Sequence, residues 1–321
     1  QQNGNPSRYK FISRYRAYHG NSMGALAATG QAQRKYRYEP LTPGFIHVPP
    51  PDSYRRPRGQ DLQEYGIECA RNIDQTITWE LSETVAGVIM EPIITGGGVI
   101  VPPDNYLREV REVCDRHGAL LIIDEVICGF GRTGRPFGFM NYGIKPDIVT
   151  MAKGITSAYL PLSATAVRRE LYESAFSGSD DYNRFRHVNT FGGNPAACSL
   201  AIKNLEIMES EGLIDRSAEL GEKLLQDWAE LEAHPNVGDI RNKGLLFGIE
   251  LVEDKETKKP ADADKVNKVI AACKEEGLIV GKNGDTVAGY NNVITIAPPL
   301  CVTNKDAYFI TRTVRKAFKV L

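Results

Sequence analysis

The sequence predicts an α/β fold built on a mostly parallel sheet. Three apolar runs have the length and composition of buried strands, and they cover residues 85–90, 119–123 and 148–151. Residues 103–117, between the first two runs, have helical spacing, so a right-handed parallel βαβ unit is expected. The first two runs lead directly into Glu91 and Asp124, and the third is followed, after Ala152, by Lys153. Because the carboxyl ends of strands in an open α/β sheet form the ligand crevice, these charges are expected to face one site.

Further elements complete this large domain. Alternation predicts a strand over residues 8–13, and the small residues of 21–30 predict a tightly packed helix. Residues 34–59 are dense in Pro, Tyr and Arg, and they are predicted to form an ordered loop because aromatic and arginine side chains need partners. The other predicted elements are a helix over 67–80, a strand over 162–167, and helices that begin near Arg168 and Pro195.

A second, smaller α+β domain is predicted to follow. The amphipathic helix over residues 214–231 marks the passage to it. The remaining elements are a strand–turn–strand unit over 240–252, a helix over 265–276, a strand at 293–296 closed by two prolines, and a basic terminal helix. We therefore predict a large domain over residues 1–208 and a small domain over residues 209–321.

Composition excludes several classes of function. Lys and Arg total 39, Asp and Glu total 40, and the net charge is -1, so nothing favours nucleic acid or an anionic membrane as a partner. The six cysteines are scattered and show no C-x-x-C spacing, which is typical of free thiols in a reducing compartment. The histidines show no metal-ligand spacing, and no apolar run reaches the roughly 20 residues that span a bilayer. We expect a cytoplasmic protein without a metal site.

Lys153 and Asp124 are the first candidates for chemistry. Lys153 lies between two small residues, and an amine kept from water there is a nucleophile that forms Schiff bases with carbonyls. The alternative is a strand-end lysine that extends to solvent. A buried Asp124 could pair with a protonated pyridine nitrogen and so make that ring an electron sink. The alternative is a structural aspartate that caps a turn, and Glu125 beside it is expected to be structural.

Three further residues could surround a planar, phosphorylated cofactor. Tyr18 could lay its ring against one face, and Val126 could close the other. Thr190, in the glycine-rich loop before a helix, offers a hydroxyl suited to a phosphate. Taken singly, Tyr18 could instead be a core residue, and Thr190 could lie in an ordinary loop before a helix.

Together these motifs resemble the class III (ω-amino acid) aminotransferases, which are pyridoxal 5'-phosphate enzymes of the aspartate-aminotransferase fold, fold type I. The resemblance rests on Y-H-G from Tyr18, E-P at Glu91, D-E-V-I-C-G-F-G-R-T-G from Asp124, A-K-G at Lys153, T-F-G-G-N-P from Thr190, and A-P-P-L near the end. Order and spacing agree along the whole chain. Family members carry a further segment before Y-H-G, so we expect this sequence to be part of a full enzyme and to lack the N-terminal part of the fold.

The resemblance implies a role for each matching residue. Lys153 would form the Schiff base and move the proton, and Asp124 would keep the pyridine nitrogen protonated. Thr190 would reach the cofactor phosphate of the neighbouring subunit in a homodimer or a dimer of dimers. The other implied cofactor contacts are Tyr18, His19, Gly20, Glu91, Val126 and Ile127.

The departures from the family pattern concern the substrate. Members that use 2-oxoglutarate carry Gln at the position of Ile127, a gating Glu at that of Gly96 and an Arg at that of Thr295, so the resemblance implies pyruvate as the acceptor. Other runs are most similar to the taurine:pyruvate branch, and within it Lys282 is expected to bind the substrate anion. The alternatives are β-alanine, another ω-amino acid or a diamine as donor, and a catalytically silent binding protein on the same fold.

Overall fold

The first sheet of the protein is mostly parallel. A computed structural model describes residues 5–176, 184–284 and 286–321. The strands are β1 Lys10–Arg14, β2 Phe45–Val48, β3 Val85–Met90, β4 Leu120–Asp124, β5 Ile148–Met151 and β6 Ala164–Val167. Their order in the sheet is β2-β1-β3-β4-β5-β6. Neighbouring strands from β2 to β5 are parallel, and β6 runs antiparallel to β5 at the edge.

Helices cover this sheet and supply its core. They are α1 Met23–Ala28, α2 Ala32–Lys35, α3 Leu62–Trp79, α4 Tyr106–His117, α5 Arg169–Phe176 and α6 Pro195–Ser210. The Asp61 side chain caps α3 by accepting from the first turn, and Gly118 ends α4 in the left-handed conformation. Ile73 of α3 and Val110 of α4 are fully buried in one cluster with strand residues. Burial of each such side chain contributes about 1.5–3 kcal/mol.

The second sheet is antiparallel and has its own core. Its strands are β7 Val237–Lys243, β8 Leu246–Asp254, β9 Lys259–Pro260, β10 Gly281–Lys282 and β11 Val293–Ile296. The main path runs β10-β11-β8-β7, with β9 paired to β8. Three helices pack against it: α7 Leu213–Asp227, α8 Ala263–Glu275 and α9 Asn304–Ala317. Trp228, Phe247 and Phe318 belong to this separate apolar cluster.

Buried charges connect the second sheet to the first part of the chain. Glu250 of β8 is fully buried and forms ion pairs with Arg55 and, at 2.9 Å, with Arg241 of β7. Although burial raises it, the two arginines bring the pKa of Glu250 below its ordinary value. Arg241 also donates to the backbone oxygens of Gly98 and Val99 at 2.6 and 2.8 Å. The loop after β3 is therefore held by the second sheet.

Most predicted elements lie where the sequence placed them, but two interpretations were wrong. Residues 34–59 contain the strand β2, whereas an ordered loop was expected. Strand β5 is only half-buried along its length, whereas a buried strand was expected. The predicted boundary at residues 208 and 209 falls in the last turn of α6 and stays a prediction. Among the described residues, no helix combines the length and apolarity that crossing a membrane requires.

Close packing of α7 on a turn predicts a stability difference between two glycines. A Cβ at Gly221 would lie 2.2 Å from the Gly244 carbonyl oxygen, whereas a Cβ at Gly24 in α1 would meet no heavy atom within 4 Å. Gly221→Ala should lower the free energy of unfolding by about 1–3 kcal/mol because backbone must shift. Gly24→Ala should raise it by about 0.5–1 kcal/mol. Urea unfolding followed by circular dichroism checks both, and equal stabilities would contradict this packing.

Candidate active site

The carboxyl ends of the central strands converge on one small cavity. Asp124 is the last residue of β4, Glu91 follows β3, and Lys153 follows β5. The cavity has a volume of about 100 Å³ and is lined by Tyr18, His19, Gly20, Glu91, Asp124, Val126, Ile127 and Lys153. The three charges that the sequence placed at strand ends therefore share one site.

Asp124 is fixed by two hydrogen bonds. His19 Nδ1 lies 2.8 Å from Asp124 Oδ2, and the Val126 backbone N–H donates to Oδ1 at 3.1 Å. Both side chains are buried, with 1% of His19 and 7% of Asp124 exposed. A carboxylate oxygen accepts more than one hydrogen bond, so Asp124 keeps capacity for a further partner.

The pairing of His19 with Asp124 is a contact that sequence reasoning missed. The resemblance implied a cofactor contact for His19 from its place beside Tyr18 in Y-H-G, but no signal in the sequence indicated that His19 pairs with Asp124. The His19 backbone N–H donates to Thr29 Oγ1 at 2.9 Å, which anchors the residue to the end of α1. Its Nε2 is buried and lacks a hydrogen-bond partner among the described residues. Such an atom at a cavity wall is suited to a ligand.

Glu91 ties two loops together beneath the cavity. One carboxylate oxygen accepts from the Tyr18 backbone N–H at 3.2 Å, and the other accepts from the Thr95 N–H and hydroxyl at 3.0 and 2.6 Å. Burial raises the pKa of this carboxyl. These bonds give Glu91 a supporting role at the cavity wall.

Lys153 differs from expectation in its surroundings. It is exposed in the described chain, whereas the sequence suggested an amine removed from water. The difference arises because β5 is only half-buried and leads into a short 3-10 helix, Lys153–Ile155. The φ angle of Lys153 is 41°, a left-handed conformation that costs energy for a residue other than glycine. The amine therefore lies at the open side of the cavity.

Glu125, next to Asp124, has a structural environment. Its two carboxylate oxygens accept from the backbone N–H groups of Gly138 and Phe139, each at 2.8 Å. The side chain is fully buried, and burial raises the pKa of Glu125 to about 7 despite these two bonds. Glu125 thus holds the segment after β4 and does not line the cavity.

Four predicted positions lie outside the cavity lining. Thr190 is exposed in the turn before α6, and Thr295 lies on β11 opposite Gly281 of β10. Lys282 of β10 is exposed, and its Nζ donates to Asn267 Oδ1 at 2.8 Å. A Cβ at Gly96 would lie 3.7 Å from Tyr18 Cβ, so this glycine borders the cavity wall. Their roles in substrate or cofactor binding stay predictions.

The chemistry of the lining residues fits pyridoxal phosphate. Asp124 offers a carboxylate to a protonated ring nitrogen, Tyr18 offers an aromatic face to a planar ring, and Lys153 offers an amine to an aldehyde carbon. The unpartnered His19 Nε2 provides a further polar contact.

Comparison with known sequences gives consistent matches along the chain. The family model described as aminotransferase class-III matches residues 1–318. The uncharacterized aminotransferase YhxA of Bacillus subtilis is 68% identical over 320 residues, which is 100% of this chain and 70% of that protein. A taurine–pyruvate aminotransferase of Bilophila wadsworthia is 40% identical over 309 residues, 96% of this chain and 68% of that protein.

Solved structures match the fold equally closely. An aminotransferase of Bacillus anthracis superposes with a TM-score of 0.96 at 62% identity, over 100% of this chain and 71% of that one. The omega transaminase of Pseudomonas jessenii, solved in complex with PMP, gives a TM-score of 0.93 at 33% identity, over 99% of this chain and 70% of that one. The predicted fold is confirmed.

The buried carboxyl of Glu125 predicts a pH dependence of stability. A folded-state pKa near 7, above the ordinary 4.5, favours folding below about pH 4.5, and this contribution is lost as the pH rises through 7. Glu125→Gln should therefore reduce the difference in unfolding free energy between pH 5 and pH 8, by roughly 3 kcal/mol at most. Urea unfolding at both pH values checks this. The exposed Glu222→Gln is the control, and an unchanged difference in Glu125→Gln would contradict the assignment.

Proposed function

Because the chain belongs to the class-III aminotransferases, a family of pyridoxal-phosphate enzymes, we propose that it transfers the amino group of an ω-amine donor, with taurine favoured, to pyruvate. The products would be an aldehyde and alanine. The observation that supports this proposal best is the presence of Lys153 and Asp124 in the wall of one cavity. The enzyme interpretation is confirmed by the family, so the silent-protein alternative falls away.

Each lining residue has a distinct task in this proposal. Pyridoxal phosphate, when bound, supplies an electron sink for the carbon that loses its proton. Asp124 keeps a ring nitrogen protonated, and His19 holds the Asp124 carboxylate in place through the 2.8 Å contact. The Lys153 amine, at the open side, takes the proton from the donor carbon and returns it. Tyr18 and Val126 would hold the ring between them.

The proposal of pyruvate and taurine rests on two residues at the cavity, Ile127 and Gly96, and on the relatives of this chain. Ile127 is apolar and lines the cavity, and Gly96 beside Tyr18 carries no carboxylate. At these positions a dicarboxylate acceptor would not find the polar side chains that the resemblance associates with the use of 2-oxoglutarate. Taurine–pyruvate aminotransferases are relatives at 40% identity, which favours a sulfonated donor over β-alanine or a diamine.

We also propose that a second copy of the chain covers one exposed face. Large apolar side chains are exposed on the segment that carries Thr190, namely Phe185 at 58%, Val188 at 87% and Phe191 at 83%. Extended apolar surface of this kind marks protein interfaces. Thr190 lies within this face, which is consistent with its predicted reach toward the cofactor phosphate of a neighbouring subunit.

Removal of the lysine amine gives a direct test of the chemistry. Lys153→Ala in the full-length enzyme loaded with pyridoxal phosphate should abolish the absorbance band of the protein–cofactor Schiff base and lower turnover by at least about 10³-fold, because both the nucleophile and the proton carrier are lost. Absorbance spectra and alanine formation measure these effects. Lys145→Ala, outside the cavity, should change neither, and a retained band in Lys153→Ala would refute the assignment.

A matched donor and acceptor screen tests the substrates. With taurine as donor, pyruvate should give a kcat/KM at least about tenfold above that of 2-oxoglutarate, since Ile127, Gly96 and Thr295 stand where the resemblance places the polar groups that serve 2-oxoglutarate. With pyruvate as acceptor, taurine should exceed β-alanine and a diamine. Alanine or glutamate formation provides the readout. A better rate with 2-oxoglutarate would refute the argument from Ile127, Gly96 and Thr295, and a better rate with β-alanine would refute taurine alone.

A further inference from the structure

Arg34 lies against the aromatic wall of the cavity. Its guanidinium carbon is 5.1 Å from the centroid of the Tyr18 ring, and Tyr18 lines the cavity. The Tyr18 hydroxyl donates to Asn21 Oδ1 at 2.8 Å, so the ring is held at its far end. An arginine over a fixed aromatic ring has a restricted orientation and keeps its charge.

The Arg34 guanidinium is also anchored from behind. Its Nε donates to Gln31 Oε1 at 2.6 Å, and the fully buried Gln31 donates from its amide to the Arg16 backbone oxygen at 2.9 Å. A Cβ at Gly96 would lie 3.0 Å from the Gln31 amide nitrogen, so the absence of a side chain there leaves this anchor room. The Nε contact leaves the two terminal nitrogens of Arg34 as donors for a ligand.

The charge of Arg34 has no carboxylate partner among the described residues. Arg16, which lies near the same wall, pairs with Asp52 at 2.7 Å, and Arg14 donates to the Glu91 backbone oxygen. Lys153 is assigned to the chemistry, and Lys282 donates to Asn267. Arg34 is thus an exposed, oriented cation in contact with Tyr18, a residue of the cavity wall. Its planar fork matches the oxygens of a sulfonate or carboxylate.

We propose that Arg34 determines specificity by binding the anionic group of the amine donor, a sulfonate or a carboxylate. This inference rests on the proposed function, since that function supplies a donor with an amine at one end and an anion at the other. With the anion bound by Arg34 at the Tyr18 wall, the donor amine would be free to enter the cavity that Lys153 lines. Lys282 then has no need to bind the donor.

The test uses full-length enzyme loaded with pyridoxal phosphate and the variants Arg34→Gln, Arg34→Lys and Arg37→Gln. Arg37 is the matched control because its guanidinium carbon also lies 5.1 Å from a tyrosine ring, that of the exposed Tyr36. Calorimetry measures ethanesulfonate binding. The donor half-reaction, followed by the cofactor spectrum without acceptor, is measured with taurine, β-alanine and n-propylamine, an amine without an anionic group.

We expect Arg34→Gln to weaken ethanesulfonate binding, and to raise the half-saturating taurine concentration, by at least about tenfold, because a bidentate charged contact is lost. Arg34→Lys should be intermediate. The half-saturating concentration of n-propylamine should change less than about twofold in either variant, and Arg37→Gln should leave all values within about twofold. The ratio of the taurine to the β-alanine effect identifies which anion Arg34 prefers.

Three results would overturn the inference. The first is that Arg34→Gln raises the half-saturating concentration of n-propylamine as much as that of taurine, which means that Arg34 acts only through Tyr18. The second is that Arg37→Gln has the same effect as Arg34→Gln, which means a general charge effect. The third is unchanged ethanesulfonate binding in Arg34→Gln. A different result would refute the proposed function without refuting the role of Arg34. If the wild-type enzyme binds ethanesulfonate through Arg34 but forms no alanine from taurine and pyruvate, the anion site stands and the proposed reaction does not.

Discussion

The contact between His19 Nδ1 and Asp124 Oδ2 is the constraint on which the rest of the site depends. A carboxylate at the buried end of β4 is tolerable only with hydrogen-bond partners, and His19 and the Val126 N–H supply them. His19 belongs to the loop after β1, and β3 separates β1 from β4 in the sheet. The contact therefore crosses the end of β3, where Glu91 holds the same loop through Tyr18. Two buried carboxylates thus fix one aromatic wall.

Buried carboxylates also fix the position of the backbone between the cavity and the second sheet. Glu91 holds the start of the loop after β3 through Thr95, and Arg241 holds its continuation through backbone oxygens. Arg241 is in turn paired with the fully buried Glu250 of β8. Since buried ion pairs return little net stability after desolvation, their value here is to specify position. The loop after β3, which borders Tyr18, is therefore held by residues of both sheets. A displacement of the second sheet would shift this loop and with it the cavity wall.

The sequence predicted what depends on local pattern and missed what depends on distant neighbours. Glu91 and Asp124 could be placed because a strand run and the charge at its end are adjacent in the chain. The partner of Asp124 could not, since His19 is 105 positions away. Strand β2 was missed because its four residues lie in a Pro-rich stretch, where pairing with β1 outweighs composition. The exposure of Lys153 depends on which residues pack over β5, and a sequence motif does not contain that information.

The charges around the cavity bear on the proposal of an ω-amine donor. Asp124 and Glu91 lie in its buried interior, whereas Lys153, which lines the cavity, and Arg34, which lies over the Tyr18 ring, are exposed. In the proposed reaction, these exposed positive charges would favour an anionic donor. Arg34 is held at Tyr18, while Lys153 extends from β5 on the other side of β4. In the proposed reaction, Arg34 would bind the anion of the donor, and the amine at the other end of the molecule would enter the cavity that Lys153 lines.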